Sequence, residues 1–318
     1  FAAVNLIFPP FMIMGAFGFM LGTGGTALVA KLLGEKKNEK ANQVFSMIIY
    51  VMIALGIFFS VIVFLFVRPV AVFLGAEGQM VENCVIYART LVPFIACFML
   101  QTSFQSFLIA AERPNMGLGI TIAAGVTNMV LDALFVAVFR WGLVGAAAAT
   151  AIAQILGAII PLVYFARPNQ SLLRLGKFRF DGKALLRTCT NGSSELMTNI
   201  SMSVVSMLYN YQLMRLAGED GIAAYGVMMY VGFVFVAVFI GFAIGSAPIV
   251  GFHYGAGNHG ELKSLLRKSV ILTSLSGVCM LGLSAALSTP LSGVFVGYDE
   301  GLYALTRRGF FLYSVSFL

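Results

Sequence analysis

Eight long apolar runs constrain this chain more than any other feature. They fall at roughly 3–30, 44–67, 88–111, 117–139, 143–166, 186–214, 223–251 and 269–289. Each reaches the length of about 20 residues that a bilayer crossing requires. A ninth begins near Tyr303 and stops at Leu318. In lipid every backbone polar group must be satisfied within the chain, so separate runs of this length cross as helices. A β-barrel would need alternating segments of about ten residues, and these runs do not alternate. Composition agrees: 59% of the 318 residues are hydrophobic and 10% are charged, where soluble chains carry about 25% charged residues. The expectation is an all-α, polytopic membrane helix bundle.

The chain also repeats itself. Phe1–Phe45 aligns without gaps to Ile222–Leu266 at a fixed offset of 221. Ala2-Ala3 matches Ala223-Ala224, Gly24 matches Gly245, Val29 matches Val250 and Gly34 matches Gly255. Pro69 and Pro290 extend the match at the same offset. Polytopic proteins built from two related halves place a transport pathway between them. The second copy is preceded by the 186–214 run and the first by none, while Phe1 and Leu318 both lie in or at the edge of apolar runs. One further span upstream and at least two downstream are therefore expected.

Charge orients the bundle. Segments 31–43, 112–116, 167–185 and 252–268, with Arg187, hold fourteen basic and five acidic residues. The alternate set holds six of each: Arg68, Arg89, Arg140, Arg215, Arg307 and Arg308 against Glu77, Glu82, Glu219, Asp220, Asp299 and Glu300. The basic set is predicted to be cytoplasmic. Both repeat copies end on that side, with six spans between them, so the halves are parallel, pseudo-symmetric repeats. The net charge of +7 is thus a topology signal and implies no nucleic-acid partner. The basic, partly apolar stretch Arg167–Lys183 reads either as a linker lying on anionic lipid or as an ordinary cytoplasmic loop.

Two acids remain inside the spans, Asp132 and Glu195. Glu195, Asn199, Ser203, Ser206 and Asn210 are spaced 4, 3 or 4 apart, which puts them on one helical face, and Asn191 extends it by a turn. A polar face in lipid turns toward protein or water. Glu195 lies about 14 Å from its helix start at ~1.5 Å per residue, near mid-membrane. An ionised acid there is costly, which suits a proton or Na⁺ site; a buried structural hydrogen-bond network is the plainer reading. Thr121, Gly125, Asn128 and Asp132 repeat the pattern. Asn128 sits one turn from Asp132 and is within hydrogen-bonding reach along the helix. Gln101 and Gln105, four apart, are weaker candidates for the same cavity. Cys84, Cys97, Cys189 and Cys279 show no paired spacing, and His253 and His259 form no ligand cluster, so no metal site beyond a Na⁺ site near Asp132 or Glu195 is expected. Pro9-Pro10, Pro93, Pro161 and Pro248 allow kinks.

Four stretches resemble the multidrug and toxic compound extrusion family, in its bacterial branch: "GTGGTALVAKLLGEKKNEKAN" (Gly22–Asn42), "NMVLD" (Asn128–Asp132), "GLVGAAAATAIAQ" (Gly142–Gln154) and "GSAPIVGFHYGAGN" (Gly245–Asn258). The resemblance covers essentially the whole chain. It implies twelve helices in two lobes around a V-shaped cavity, of which eight full spans and a partial ninth are present here. It divides the chain into an amino lobe at 1–166 (helices 2–6), a cytoplasmic linker at 167–185, and a carboxy lobe at 186–318 (helices 7–9 and part of 10). It implies that Asn128 and Asp132 match the amino-lobe cation site, and that Glu195 matches an acid some members carry on helix 7. The family's helix-1 aspartate is absent, and its pseudo-symmetric counterpart would be Asn210, which is neutral.

The resulting expectation is a monomeric secondary antiporter in the bacterial cytoplasmic (inner) membrane. It would export small amphipathic cations in exchange for H⁺ or Na⁺, with no further cofactor. A lipid-linked oligosaccharide flippase of the same superfamily is the alternative. Such proteins tend to line the cavity with bases, whereas the intramembrane ionisable groups here are acids. A membrane enzyme would need a nucleophile–base pair or metal ligands within the spans, and no span holds a histidine.

Overall fold

The computed structural model describes residues 2–73, 78–296 and 300–314; some side chains inside the helices, among them those of Pro9, Pro10, Ser203, Ser206 and Asn210, lie outside the description. The described residues form helices joined by short turns and one extended linker, with no strand. The helices are α1 (Ala2–Gly34), α2 (Asn38–Phe73), α3 (Gln79–Leu91), α4 (Ile95–Ala110), α5 (Pro114–Asp132), α6 (Gly142–Ala166), α7 (Gly182–Gly255), α8 (His259–Val296) and α9 (Glu300–Ser314).

Seven of the described helical stretches are long and apolar enough to cross a membrane: Phe11–Gly34, Asn38–Val72, Gln79–Ala110, Pro114–Val138, Gly142–Ala166, Gly232–Gly255 and His259–Pro290. They correspond to seven of the eight expected runs. The remaining run, 186–214, forms the first part of α7. The all-α polytopic architecture expected from the apolar pattern is therefore the observed one.

Proline marks a break within one crossing. Pro93 has no N–H to donate, and a 3-10 turn at Val92–Phe94 separates α3 from α4. The Ser60 hydroxyl donates to the Val92 carbonyl at 2.7 Å, so backbone disturbed at membrane depth is satisfied from a neighbouring helix.

The sequence predicts two spans where α7 is one helical element of 74 residues. At ~1.5 Å per residue a straight rod would separate its ends by more than 100 Å. Both ends nevertheless meet the same part of α1, between Met20 and Gly34. Thr188 and Gly192 lie against Gly24 and Met20, running antiparallel to α1, and Gly251 and Gly255 lie against Ala27 and Lys31, running parallel to it. The element therefore turns back between those two contacts, as two crossings require.

Contacts divide the chain into two compact units, Phe1–Ile200 with Ala247–Gly257, and Ser201–Ser246 with Asn258–Leu318. These units are defined by contact and differ in extent from the lobes that the resemblance implies. The first is centred on α1, α2, α4 and α6, where Phe45 packs edge-on against Phe107 and Phe165, each at 4.9 Å between ring centres. Buried aromatic pairs of this geometry add about 0.5–1.5 kcal/mol beyond their area. Leu173, from the linker after α6, is fully buried in the same core. In the second unit α8 packs on α9, and Tyr209 stacks on Tyr225 at 5.4 Å.

Candidate functional site

Asp132 closes α5, and the next six residues, Ala133–Val138, form a π-helical turn. Such widened turns interrupt the regular ladder and occur frequently at functional sites. One carboxylate oxygen of Asp132, Oδ1, is buried with no hydrogen-bond partner in the structure. A buried acceptor left in that state is costly, and a bound proton or small cation relieves the cost.

Its surroundings come from three helices. Asn128 donates through Nδ2 to the Thr150 hydroxyl on α6 at 3.4 Å, and Thr150 donates in turn to the Ala146 carbonyl at 3.0 Å. Asn128 thus turns its amide toward α6, not toward Asp132, because Thr150 offers an acceptor across the helix interface. Tyr87 on α3 is buried and lies within electrostatic range of Asp132. The Asn128–Thr150 pair thus lies one helical turn from Asp132 inside the first unit, with Tyr87 in electrostatic range of the acid. Thr150 and Tyr87 were not singled out from sequence. Thr150 is the lone hydroxyl in "GAAAATAIA", which is a weak signal, and Tyr87 carried none.

The other predicted residues are placed elsewhere. Gln101 and Gln105 line a cavity of about 10 Å³ with Thr121, Gly157 and Pro161, enough for roughly one water. Thr121 and Asp132 are about 16 Å apart along α5, so the glutamines do not share the Asp132 site. The reason is axial position: residues sharing a helical face can still lie several turns apart. Glu195 and Asn199 are half-buried, and Asn199 donates to the Glu195 backbone carbonyl at 2.7 Å within its own helix. Asn191 is exposed. The rest of that stripe, Ser203, Ser206 and Asn210, lies outside the described side chains. Among the described residues no group of three or more metal-ligating side chains is present.

A second arrangement joins the two repeat copies. A side chain at Gly34 would collide with the carbonyl oxygen of Phe252 and the amide of Ala256, and one at Gly255 would collide with the carbonyl oxygen of Lys31. Gly34 and Gly255 are repeat mates, and so are Lys31 and Phe252 at the same offset. The contact is reciprocal, each copy offering the same backbone to the other, as at a local two-fold axis. The Lys31 ammonium also lies 5.2 Å from the centre of the Tyr254 ring.

A bundle of membrane-length helices whose two sequence repeats meet in the structure defines a polytopic membrane protein built from related halves. The chain matches the family described as MatE over residues 1–134 and 196–313, and it belongs to that family. It is 26% identical over 285 residues to the multidrug export protein MepA of Staphylococcus haemolyticus (strain JCSC1435), covering 88% of this chain and 62% of that protein. It is 25% identical over 329 residues to MepA of Staphylococcus saprophyticus, covering 100% and 71%. The chain thus spans about two thirds of the length of these relatives. Among solved structures, the fold matches the outward-facing conformation of a multidrug resistance MATE family transporter with TM-score 0.93 at 19% identity, over 99% of this chain and 71% of that one. It also matches MATE in complex with MaL6 with TM-score 0.91 at 20% identity, over 99% and 70%. The protein is a multi-pass protein of the bacterial cytoplasmic (inner) membrane.

Proposed function

We propose that the chain is part of a secondary antiporter that exports small amphipathic cations, drugs among them, in exchange for H⁺ or Na⁺. The observation that carries this reading is the buried, unpartnered oxygen of Asp132 beside the Asn128–Thr150 pair. A carboxylate at membrane depth that alternately binds and releases a cation supplies the coupling an antiporter needs. The names of the MepA relatives support drugs as cargo. Residues 1–166 and 186–318 are assigned to the amino and carboxy lobes, joined by 167–185. The deciding experiment reconstitutes the full-length protein in liposomes with an imposed H⁺ or Na⁺ gradient. Gradient-driven movement of a lipophilic cation, with coupled ion flux, is the expected result. Facilitated movement that neither gradient accelerates would sink the antiport reading.

Glu195 is assigned a second, carboxy-lobe site distinct from that of Asp132. Glu195→Gln keeps shape and most hydrogen bonding but removes the exchangeable charge, and an unpaired charge at helix mid-membrane costs at least about 2.5 kcal/mol. The variant should fold normally and shift the pH dependence of cation binding. An unchanged pH profile together with unchanged transport would leave Glu195 a structural residue.

The orientation has its own check. With native cysteines removed, Asn38→Cys and Asn258→Cys in the full-length protein should react with an impermeant maleimide only from the cytoplasmic side. Labelling of either in intact cells would invert the topology.

A further inference from the structure

The linker after α6 is strapped to the first turns of α2. The Arg174 amide donates to Asn42 Oδ1 at 2.8 Å, the Gly176 amide donates to the Ser46 hydroxyl at 2.8 Å, and the Tyr50 hydroxyl donates to the Gly176 carbonyl at 3.4 Å. Where the strap ends it leaves a cavity of about 770 Å³ against α2, lined by Lys40, Gln43, Val44, Met47, Arg179, Phe180, Asp181 and Lys183. Three cations thus face one carboxylate. That carboxylate is already engaged, since Asp181 Oδ1 accepts from the amides of Lys183 and Ala184 at 3.1 Å each. Among the described residues, Lys40, Arg179 and Lys183 form no salt bridge.

The floor of the cavity is apolar, formed by Val44 and Met47. From it the outer face of α2 continues through Tyr50, Ile57, Phe58, Val61 and Leu65, all exposed. Phe178 and Phe180 project from the strap beside it, 54% and 64% exposed, and Phe178 meets the Tyr50 ring edge-on at 5.9 Å. Aromatic side chains at such a level match the headgroup belt of a bilayer. A cationic cavity on the basic, cytoplasmic side, opening onto a lipid-facing apolar stripe, has the chemistry of an amphiphile with an anionic head.

We propose that this cavity binds the phosphate headgroup of an anionic phospholipid from the cytoplasmic leaflet, its acyl chains lying along the exposed face of α2. The shared chemistry is a phosphate, so the test must separate a lipid from the free ion. Delipidated full-length protein is titrated with dioleoyl-phosphatidylglycerol, with dioleoyl-phosphatidylcholine and with inorganic phosphate, and bound lipid is counted by native mass spectrometry. The parent should retain one phosphatidylglycerol in preference to phosphatidylcholine, and millimolar phosphate should not displace it. Each cation near an anionic lipid surface contributes about fivefold, so the triple variant Lys40→Ala/Arg179→Ala/Lys183→Ala should bind on the order of a hundredfold more weakly. Gln43→Glu keeps every cation, adds a carboxylate to the cavity wall and should weaken binding as well, which decides the matter if the triple variant fails to fold. Parent-like retention by Gln43→Glu and the triple variant overturns the site. Equal retention of phosphatidylcholine overturns the anionic head, and displacement by inorganic phosphate overturns the lipid.

Discussion

Asp132→Asn in the full-length protein is expected to abolish gradient-driven efflux while leaving folding and membrane insertion intact. The substitution keeps the size of the side chain and removes its ability to release a proton or hold a cation. Stability gives the discriminating sign. Oδ1 of Asp132 has no donor to lose, so the variant should melt at the parent temperature or above it, whereas removing one half of a structural pair lowers it. Loss of efflux with an earlier melt would make Asp132 a structural residue and undo the coupling assignment. Asn128→Ala and Thr150→Val serve as companions, because each deletes the same 3.4 Å bond between α5 and α6. Hydrogen bonds between membrane helices average about 0.6 kcal/mol. Both variants should therefore show partial, similar losses of transport, and combining them should add little.

Gly34→Leu is expected to prevent the two repeat copies from meeting and to abolish transport. There is no room for a Cβ at Gly34 against the Phe252 carbonyl or at Gly255 against the Lys31 carbonyl. Backbone cannot move aside as a flexible side chain can, so overpacking should cost about 1–3 kcal/mol. Reciprocity makes the prediction specific. Gly255→Leu should reproduce the phenotype, and the double variant should lose less stability than the two losses added together, since both break one contact. Gly245→Ala is the control: apart from its own helix backbone, nothing among the described residues comes within 4 Å of a Cβ at that position, and a change within about 0.5 kcal/mol is expected. Thermal melts of the full-length variants, with maleimide labelling rates at Asn258→Cys, read the outcome. A parent-like melt and parent-like efflux in Gly34→Leu would remove the contact from the mechanism.

The sequence by itself determined which residues enter the membrane and in what secondary structure. Hydropathy alone located the runs that became α1, α2, α5, α6 and α8, because lipid leaves the backbone no alternative to helix. The offset of 221 paired Gly34 with Gly255 before any contact between them was visible. The 4-residue spacing of Asn128 and Asp132 placed both on one face of α5. Tertiary structure decided the partners. That Asn128 reaches Thr150, that Tyr87 stands near Asp132, that Gln101 and Gln105 sit with Thr121, and that the linker lies on Asn42 and Ser46 are all relations between helices or across loops. The turn-back within α7 likewise shows only where both its ends touch α1. The physical reason is the solvent. Lipid tails are as apolar as leucine, so hydrophobicity selects what enters the bilayer but not which helix faces which. That choice is made by close packing at small residues and by hydrogen bonds between side chains distant in sequence, neither of which has a period that a single strand of text can carry.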